Sequence, residues 1–326
     1  MSHPIDRPAV WFITGTSRGL GLELASQLLA QGEKVAATTR SSERLLAALG
    51  SGVDTSALLP LQVDLRDEAA VTAAVEQAHT RFGSLDVVVN NAGYAFLGAV
   101  EEASPTDVRA MLDVQVVGVW NVLRAALSLL RAQRGGHIVN VSSVLGLTAV
   151  PGWALYCAGK FALEGLTEAL AGEVAEFGID VTLVEPGYFR TSFLTEDSLA
   201  LPSGAIDAYP SLREMTQSHL GLQGSQLGDP ARGSAQIIAR VRDGVTAPLR
   251  QLLGSDAHAF AAAKVDLLRD TLDQSRQSAP ATDFATVWPG PAQGPRSRTQ
   301  AAARRPAAGH GSGSWPTGER AGDQAR

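Results

Sequence analysis

A doubly wound α/β domain with a parallel sheet is the fold this chain predicts, on three observations. Short apolar runs of strand length alternate with longer segments whose apolar residues recur at i, i+3 and i+4. The runs Val87-Val-Val89 and Ile138-Val139 do not alternate with polar residues, as expected of parallel strands buried on both faces. A glycine-rich turn joins the first run to the first helical segment. Strands separated by helices imply right-handed crossovers and helices on both sheet faces.

Taken in order, Val10–Ile13 is the first strand, and Thr14-Gly-Thr-Ser-Arg-Gly-Leu-Gly21 is the turn that leaves it. Leu22 to Leu29 places leucines at helical spacing. Further strands are predicted at Lys34–Thr38, Leu58–Val63, Asp86–Asn90, His137–Val141, Asp180–Val184 and, most weakly, Arg250–Leu253. Helices are predicted at Asp67–Phe82, Pro105–Gln133 and Pro151–Glu176. Between Thr191 and Gly228 the rhythm fails, and the chain reads as irregular, with Phe193, Leu194, Leu199, Tyr209 and Met215 among polar residues. A segment of that length inside a compact domain is more often functional than filler.

Composition narrows the function. The 326 residues are 45% hydrophobic, ordinary for a globular chain, and the net charge of −6 argues against nucleic acid as the main partner. The most apolar stretch, Val114 to Leu130, is broken by Gln115, Asn121 and Arg124, so no membrane span is expected. The N-terminus lacks a charged-then-apolar signal pattern and there is one cysteine, Cys157, which together read as a cytoplasmic protein without an intramolecular disulfide. Cys157 reads as a small buried filler. Residues 287–326 carry six arginines against two acids and are rich in Pro, Gly, Ala and Ser; that composition predicts a basic, disordered tail. The expected organisation is an N-terminal extension over 1–8, one domain over 9–286, and the tail. No metal site is expected.

The chemistry concentrates in Tyr156-Cys-Ala-Gly-Lys160, which sets a phenol and an ammonium one helical turn apart. A tyrosine titrates near pH ~10 in water, and a fixed cation beside it favours the phenolate and brings it toward the range useful for general acid–base work. The pair alone is weak evidence. It gains weight from Ser143, thirteen residues upstream, from Asn90-Asn-Ala-Gly93, and from the turn Gly15-x-x-x-Gly19-x-Gly21 between a strand and a helix. There glycines let the backbone approach a pyrophosphate, and the helix start offers free N–H groups.

These motifs, with Pro186-Gly187 and Thr191, resemble the short-chain dehydrogenase/reductase family in its single-domain NAD(P)-dependent branch. Tyr156 to Leu166 is similar to the hydroxysteroid- and retinol-dehydrogenase-like members in particular. The resemblance spans residue 9 to about 285 and implies a Rossmann-type sheet with strand order 3-2-1-4-5-6-7. It implies Tyr156 as general acid in reduction and base in oxidation, Lys160 holding the nicotinamide ribose and lowering the tyrosine pKa, and Ser143 hydrogen-bonding the substrate oxygen. Cofactor contacts are implied at Gly15, Ser17, Arg18, Gly19, Leu20, Gly21, Asn91, Ala92, Gly93, Pro186, Gly187, Phe189 and Thr191, with Asp64 and Leu65 at the adenine. Asp64 also reads as a helix N-cap. The family carries Asn where this chain has Gln115; there that Asn kinks its helix and helps hold a water leading to the lysine, so Gln115 puts the relay in doubt. Residues 191–228 correspond to a substrate lid.

Two further readings concern the cofactor and the substrate. The second strand runs into Thr39-Arg40-Ser41-Ser42, without the acid that accepts the ribose 2′-hydroxyl of NAD. Arg40, with Arg18, suits a 2′-phosphate, so NADP(H) is expected over NAD(H). Tyr94, Phe96, Val144, Leu145, Trp153, Tyr188 and Phe193 predict a mostly apolar pocket for a ketone, an aldehyde or the corresponding alcohol. Small residues along Trp153–Glu176, and the family's pairing of this helix across a two-fold axis, lead to an expected homodimer or homotetramer. The alternative function is a non-catalytic NADP(H)-binding redox sensor.

Overall fold

A computed structural model describes residues 7–243 and 248–284. The tail at 287–326 and most of the N-terminal extension lie outside the described residues. The chain divides into two units, one through Leu272 and a second from Asp273. In the second unit the described part holds a 3₁₀ turn, Pro280–Thr282, and an Arg276–Asp273 ion pair.

The main sheet has seven parallel strands: β1 (Val10–Ile13), β2 (Lys34–Thr39), β3 (Leu58–Gln62), β4 (Val87–Asn90), β6 (Gly136–Val141), β7 (Ile179–Pro186) and β9 (Arg250–Leu253). Their spatial order is β3-β2-β1-β4-β6-β7-β9, which is the predicted 3-2-1-4-5-6-7 counted over these strands. A two-stranded parallel ladder, β5 (Ala95–Phe96) with β8 (Leu199–Ala200), stands apart. The sheet strands sort their side chains with a period of two. Trp11, Ile13, Val87 and Val89 enter one core, against α1 (Gly19–Ala30), α2 (Ser42–Leu49) and α8 (Pro230–Arg242). Phe12 and Val88 enter the other, against α3 (Glu68–Phe82), α5 (Gly118–Gln133) and α6 (Ala154–Val174). Because all seven strands run one way, the residues that follow β1, β2, β4, β6 and β7 gather along one edge of the sheet, where ligands bind in open α/β folds.

Two sequence expectations need correction. Pro105–Gln133 is not one regular helix. It comprises α4 (Pro105–Leu112), a π turn over Asp113–Val117, and α5, with the Gly118 N–H reaching back to the Asp113 carbonyl. Apolar spacing cannot show a single wide turn, because it displaces the pattern by only one residue. By length and composition alone Pro105–Gln133 could cross a membrane. Its apolarity is accounted for here by Val119, Val122, Leu123, Ala126 and Leu130, all buried in the core. The predicted irregular segment 191–228 contains β8 and a twelve-residue helix, α7 (Pro210–Gly221). Leu212, Met215 and His219 do lie at helical spacing, but polar neighbours mask them.

Candidate active site

The nucleotide end is built by the turn after β1. Gly15 has φ of 71°, and a Cβ added there would stand 2.7 Å from Ala92 Cα, so only glycine lets this turn lie against Asn91 and Ala92. Thr14 Oγ1 accepts the N–H groups of Asn91 and Ala92 at 3.0 Å each. Asn91 Nδ2 donates to the carbonyls of Thr14 and Gly15 at 2.9 and 3.0 Å, and a Cβ on Gly21 would meet that same amide. Four predicted residues are therefore one packed unit. Arg18 is the cap of α1 and lends no side chain to its first-turn N–H groups. Gly19, Leu20 and Gly21 thus present backbone donors at the positive end of the helix dipole, with Ser17 in the same turn, a donor set that fits a pyrophosphate. Gly19 lies 3.7 Å, by its added Cβ, from Thr191 across the cleft.

Beside this cradle is a cationic corner. Arg40 follows the last residue of β2, and Arg44 lies on α2. Burial lowers the Arg18 pKa; the charge of Asp197 opposes this, while Arg40 and Arg44 add to the lowering, so three guanidinium groups share this corner. Arg44 was not anticipated, because its proximity depends on how α2 returns over the sheet. Arg18 also donates to the backbone carbonyl of Asp197. Asp64 is held by Arg66: Oδ2 accepts from Nη2 at 2.6 Å and Oδ1 from the Arg66 backbone N–H at 3.0 Å. These bonds hold the Asp64 carboxyl below its ordinary range. The N-cap of α3 is Asp67, which accepts from Ala70 N, and not Asp64. The adjoining Leu65 carbonyl accepts from Asn121 Nδ2 at 2.9 Å.

At the other end, α6 carries Tyr156 and Lys160 on one face. Lys160 Nζ stands 5.7 Å from the Tyr156 ring centroid and donates to the Val141 carbonyl at 2.9 Å. Ser143, two residues beyond Val141, caps a 3₁₀ turn over Val144–Gly146, its Oγ accepting from Leu145 N at 3.1 Å, and lies close enough to the Tyr156 phenol to lower its pKa. Gly93 closes on the same point, its added Cβ 3.8 Å from Lys160 Nζ. Ser143, Tyr156 and Lys160 are all buried. The expected lowering of the Tyr156 pKa is not what this geometry gives. Burial raises it well above the ordinary phenol, with the Ser143 hydrogen bond opposing. Lys160 is pulled down to about 8, by burial first, while Glu164 works against the shift.

Gln115 occupies the π turn and is buried. Its Nε2 donates to the Tyr94 carbonyl at 2.6 Å and contacts Met111 Sδ at 2.8 Å. Its Oε1 has no hydrogen-bond partner among the described residues and faces Gly159, the neighbour of Lys160.

The loop after β7 completes the cleft. A Cβ on Gly187 would overlap the Asp256 carboxylate, and Tyr188 N donates to Asp256 Oδ2 at 2.7 Å, so the start of α9 (Ser255–Ser275) anchors Pro186-Gly187. The Phe189 ring lies over Gly228 and Gly233. Thr191 Oγ1 accepts from Phe193 N at 3.2 Å.

Of the predicted pocket, Val144, Leu145, Trp153 and Phe193 gather round Tyr156, with Trp153 and Phe193 each edge-on at 5.8 Å. Tyr94 and Phe96 instead pack with Met111 and Leu155 in a separate cluster. Sequence reasoning missed His219. From α7 it packs edge-on against Trp153 at 5.3 Å and pairs through Nε2 with the Tyr188 hydroxyl at 2.8 Å. Cys157 is buried in the same cluster. Among the described residues, no group of three or more His, Cys, Asp or Glu is arranged to hold a metal ion.

Comparison with known proteins agrees with this layout. The family model for short chain dehydrogenases matches residues 9–200. Oxidoreductase BOA17 of Botryotinia fuckeliana is 37% identical over 268 residues, 82% of this chain and 97% of that protein. The 17-beta-hydroxysteroid dehydrogenase type 1 of Mus musculus is 39% identical over 207 residues, 61% of this chain and 59% of that protein. A short-chain dehydrogenase from Streptomyces avermitilis superposes with TM-score 0.78 at 33% identity, over 86% of this chain and all of its own. A 3-ketoacyl-(acyl-carrier-protein) reductase from Brucella melitensis solved with NADH (TM-score 0.61, 26% identity, 75% and 95% coverage) and ElxO with NADP bound (0.62, 26%, 76% and 96%) share the fold. A glycine cradle at the end of β1, a serine, tyrosine and lysine converging between β6 and α6, and these relatives lead to one assignment: the chain belongs to the short-chain dehydrogenase/reductase family and is an NAD(P)-dependent oxidoreductase acting on CH–OH groups.

Proposed function

We propose that the chain is an NADP(H)-preferring reductase of medium-sized apolar ketones or aldehydes, equivalently a dehydrogenase of the matching alcohols. The observation that carries the reading is the buried Tyr156 phenol, close to Ser143 and beside Lys160, walled by Leu145, Trp153 and Phe193. Bound nicotinamide supplies or accepts the hydride. Tyr156 gives its proton to the carbonyl oxygen in reduction and takes it back in oxidation. Ser143 donates to that oxygen as negative charge develops, and burial makes the donation count for more than it would in water. Burial makes Tyr156 a reluctant acid, so the nearby ammonium of Lys160 is needed to support the phenolate left behind. Gly15, Gly19 and Gly21 with Asn91, Ala92 and Gly93 would hold the dinucleotide, Asp64 and Leu65 lie where the adenine is expected, and Pro186, Gly187, Phe189 and Thr191 border the nicotinamide end.

The corner formed by Arg18, Arg40 and Arg44 supports NADP(H), since a 2′-phosphate supplies the negative charge that three neighbouring cations favour. An enzyme that used NADH and NADPH equally well would defeat this part. Following absorbance loss of NADPH against a panel of apolar ketones and aldehydes tests the substrate class; turnover of hydrophilic carbonyl compounds alone would reject it. A homodimer or homotetramer is part of the same reading, supported by Val117 and Trp120 at the π turn and α5, and Phe161 on α6, large apolar side chains left substantially exposed. A monomeric mass by light scattering would reject the assembly.

A further inference from the structure

A second ionisable cluster lies one helical turn beyond Lys160. Glu164, at i+4 on α6, shares its face and is buried. Glu185, just before Pro186 in β7, is buried completely. Arg250 of β9 clamps them: Nη2 stands 3.0 Å from Glu164 Oε2 and 2.8 Å from Glu168 Oε1, and Nε stands 2.9 Å from Glu185 Oε1. Ser142 Oγ and Glu164 Oε1 converge on Gly146, where an added Cβ would stand 2.6 and 2.8 Å from them.

The donors do not suffice. Among the described residues Glu164 Oε1, both oxygens of Glu185 and Ser142 Oγ lack hydrogen-bond partners, and Arg250 Nε, although close to Glu185, is not aligned to donate. Two carboxylates side by side in the interior repel each other and lose their hydration. One proton removes both difficulties, because a carboxyl O–H then donates to the neighbouring carboxylate.

We propose that Glu164 and Glu185 hold one proton between them and act as positioning residues that maintain the charge on Lys160. Burial first, then the charge of Glu164, raises the Glu185 carboxyl far above the carboxylate range, with Arg250 opposing. The proton sits on Glu185 and is donated to Glu164. On alkalinisation it leaves to water, and the pair gains one negative charge that opposes, without preventing, the loss of the Lys160 proton. The charged and titratable groups facing the pair are Lys160, beside Glu164, and Glu168 from α6, and Arg250 from β9. Asp256 of α9 sits against Gly187, two residues past Glu185.

This inference rests on Lys160 supporting Tyr156, so its test has one arm that needs no turnover. Infrared difference spectra of the full chain between about pH 6 and about pH 10 should show a protonated-carboxyl C=O stretch that vanishes as pH rises, is absent in Glu185→Gln and is displaced in Glu164→Gln. Absence of that band from the wild type overturns the pair even if the enzyme proves active. In the second arm, pH profiles of kcat/KM for carbonyl reduction should show the alkaline limb moved toward lower pH by about one unit in Glu164→Gln and Glu185→Gln. Equal loss at every pH, with no displacement, would reduce both residues to structural supports and overturn the coupling to Lys160. A wild type that shows the band but turns over no carbonyl compound would sink the proposed reaction and leave the shared proton standing.

Discussion

Gln115 Oε1 faces Gly159 so closely that a Cβ there would stand 2.7 Å from it. The residue next to Lys160 is thus in contact with the side chain that replaces the family asparagine. The extra methylene of Gln115 carries its amide to the Tyr94 carbonyl and Met111 Sδ, which fixes the π turn against the segment after β4. Gly159→Ala should therefore move α6 and its lysine, costing about 1–3 kcal/mol of stability and at least about tenfold in kcat. Gln115→Asn in the same chain shortens the opposing side chain and should recover part of both losses. Additive losses in a double-mutant cycle would show that the two residues do not communicate.

Tyr156→Phe should reduce kcat by several orders of magnitude and leave dinucleotide affinity nearly unchanged, because the phenol acts on the substrate oxygen. Fluorescence titration with NADPH and steady-state turnover separate the two quantities. Retained kcat would remove Tyr156 as the proton donor.

The cationic corner predicts a charge-specific defect. Arg40→Asp should raise KM for NADPH by about tenfold or more, with much less effect on NADH, since the new carboxylate repels only a 2′-phosphate. Added salt should narrow the difference. Equal effects on the two cofactors would place Arg40 away from the ribose.

Lys160 links pH to activity and to stability with opposite signs. Its ammonium supports the phenolate and is lost above about 8, so kcat/KM for reduction should fall on that alkaline side. Its folded pKa lies below the ordinary lysine value, so between about 8 and about 10.5 the unfolded chain binds more protons than the folded one. This group therefore adds stability as pH rises through that window, and its contribution is lost as pH falls through about 8. Lys160→Met should abolish turnover while flattening the rise of Tm across the same window. A Tm profile unchanged by the substitution would place the titration elsewhere.

The strand order and the glycine cradle were legible because they depend on local signals: apolar runs of strand length, and Gly15 in a turn between Ile13 and Leu22. The neighbourhood of Tyr156, Lys160 and Ser143 was legible because two of the three share one helix face and the third follows the adjoining strand by two residues. What stayed hidden depends on tertiary return of the chain. Arg44 and Asp256 meet the cofactor loops only after α2 and α9 fold back. His219 reaches Trp153 only once α7 packs against the start of α6. The π turn at Gln115 leaves almost no trace in apolar spacing, and the direction of the Tyr156 pKa follows from burial, which spacing does not report.

The segment 191–228 is fastened to the body in a way that separates two kinds of heritable change. β8 pairs with only two residues, Ala95 and Phe96, and the neighbouring Glu101 and Glu102 take the Tyr209 hydroxyl, the Ile206 N–H and the Arg213 guanidinium. None of these hydrogen bonds or ion pairs involves Tyr156, Lys160 or Ser143, although the Tyr156 ring packs edge-on against Phe193. Selection acting on 191–228 can exchange whole stretches of that segment, keeping the two clasps, without rewriting the Ser143, Tyr156 and Lys160 arrangement; for the engineer, the same clasps mark where one cassette ends and another begins.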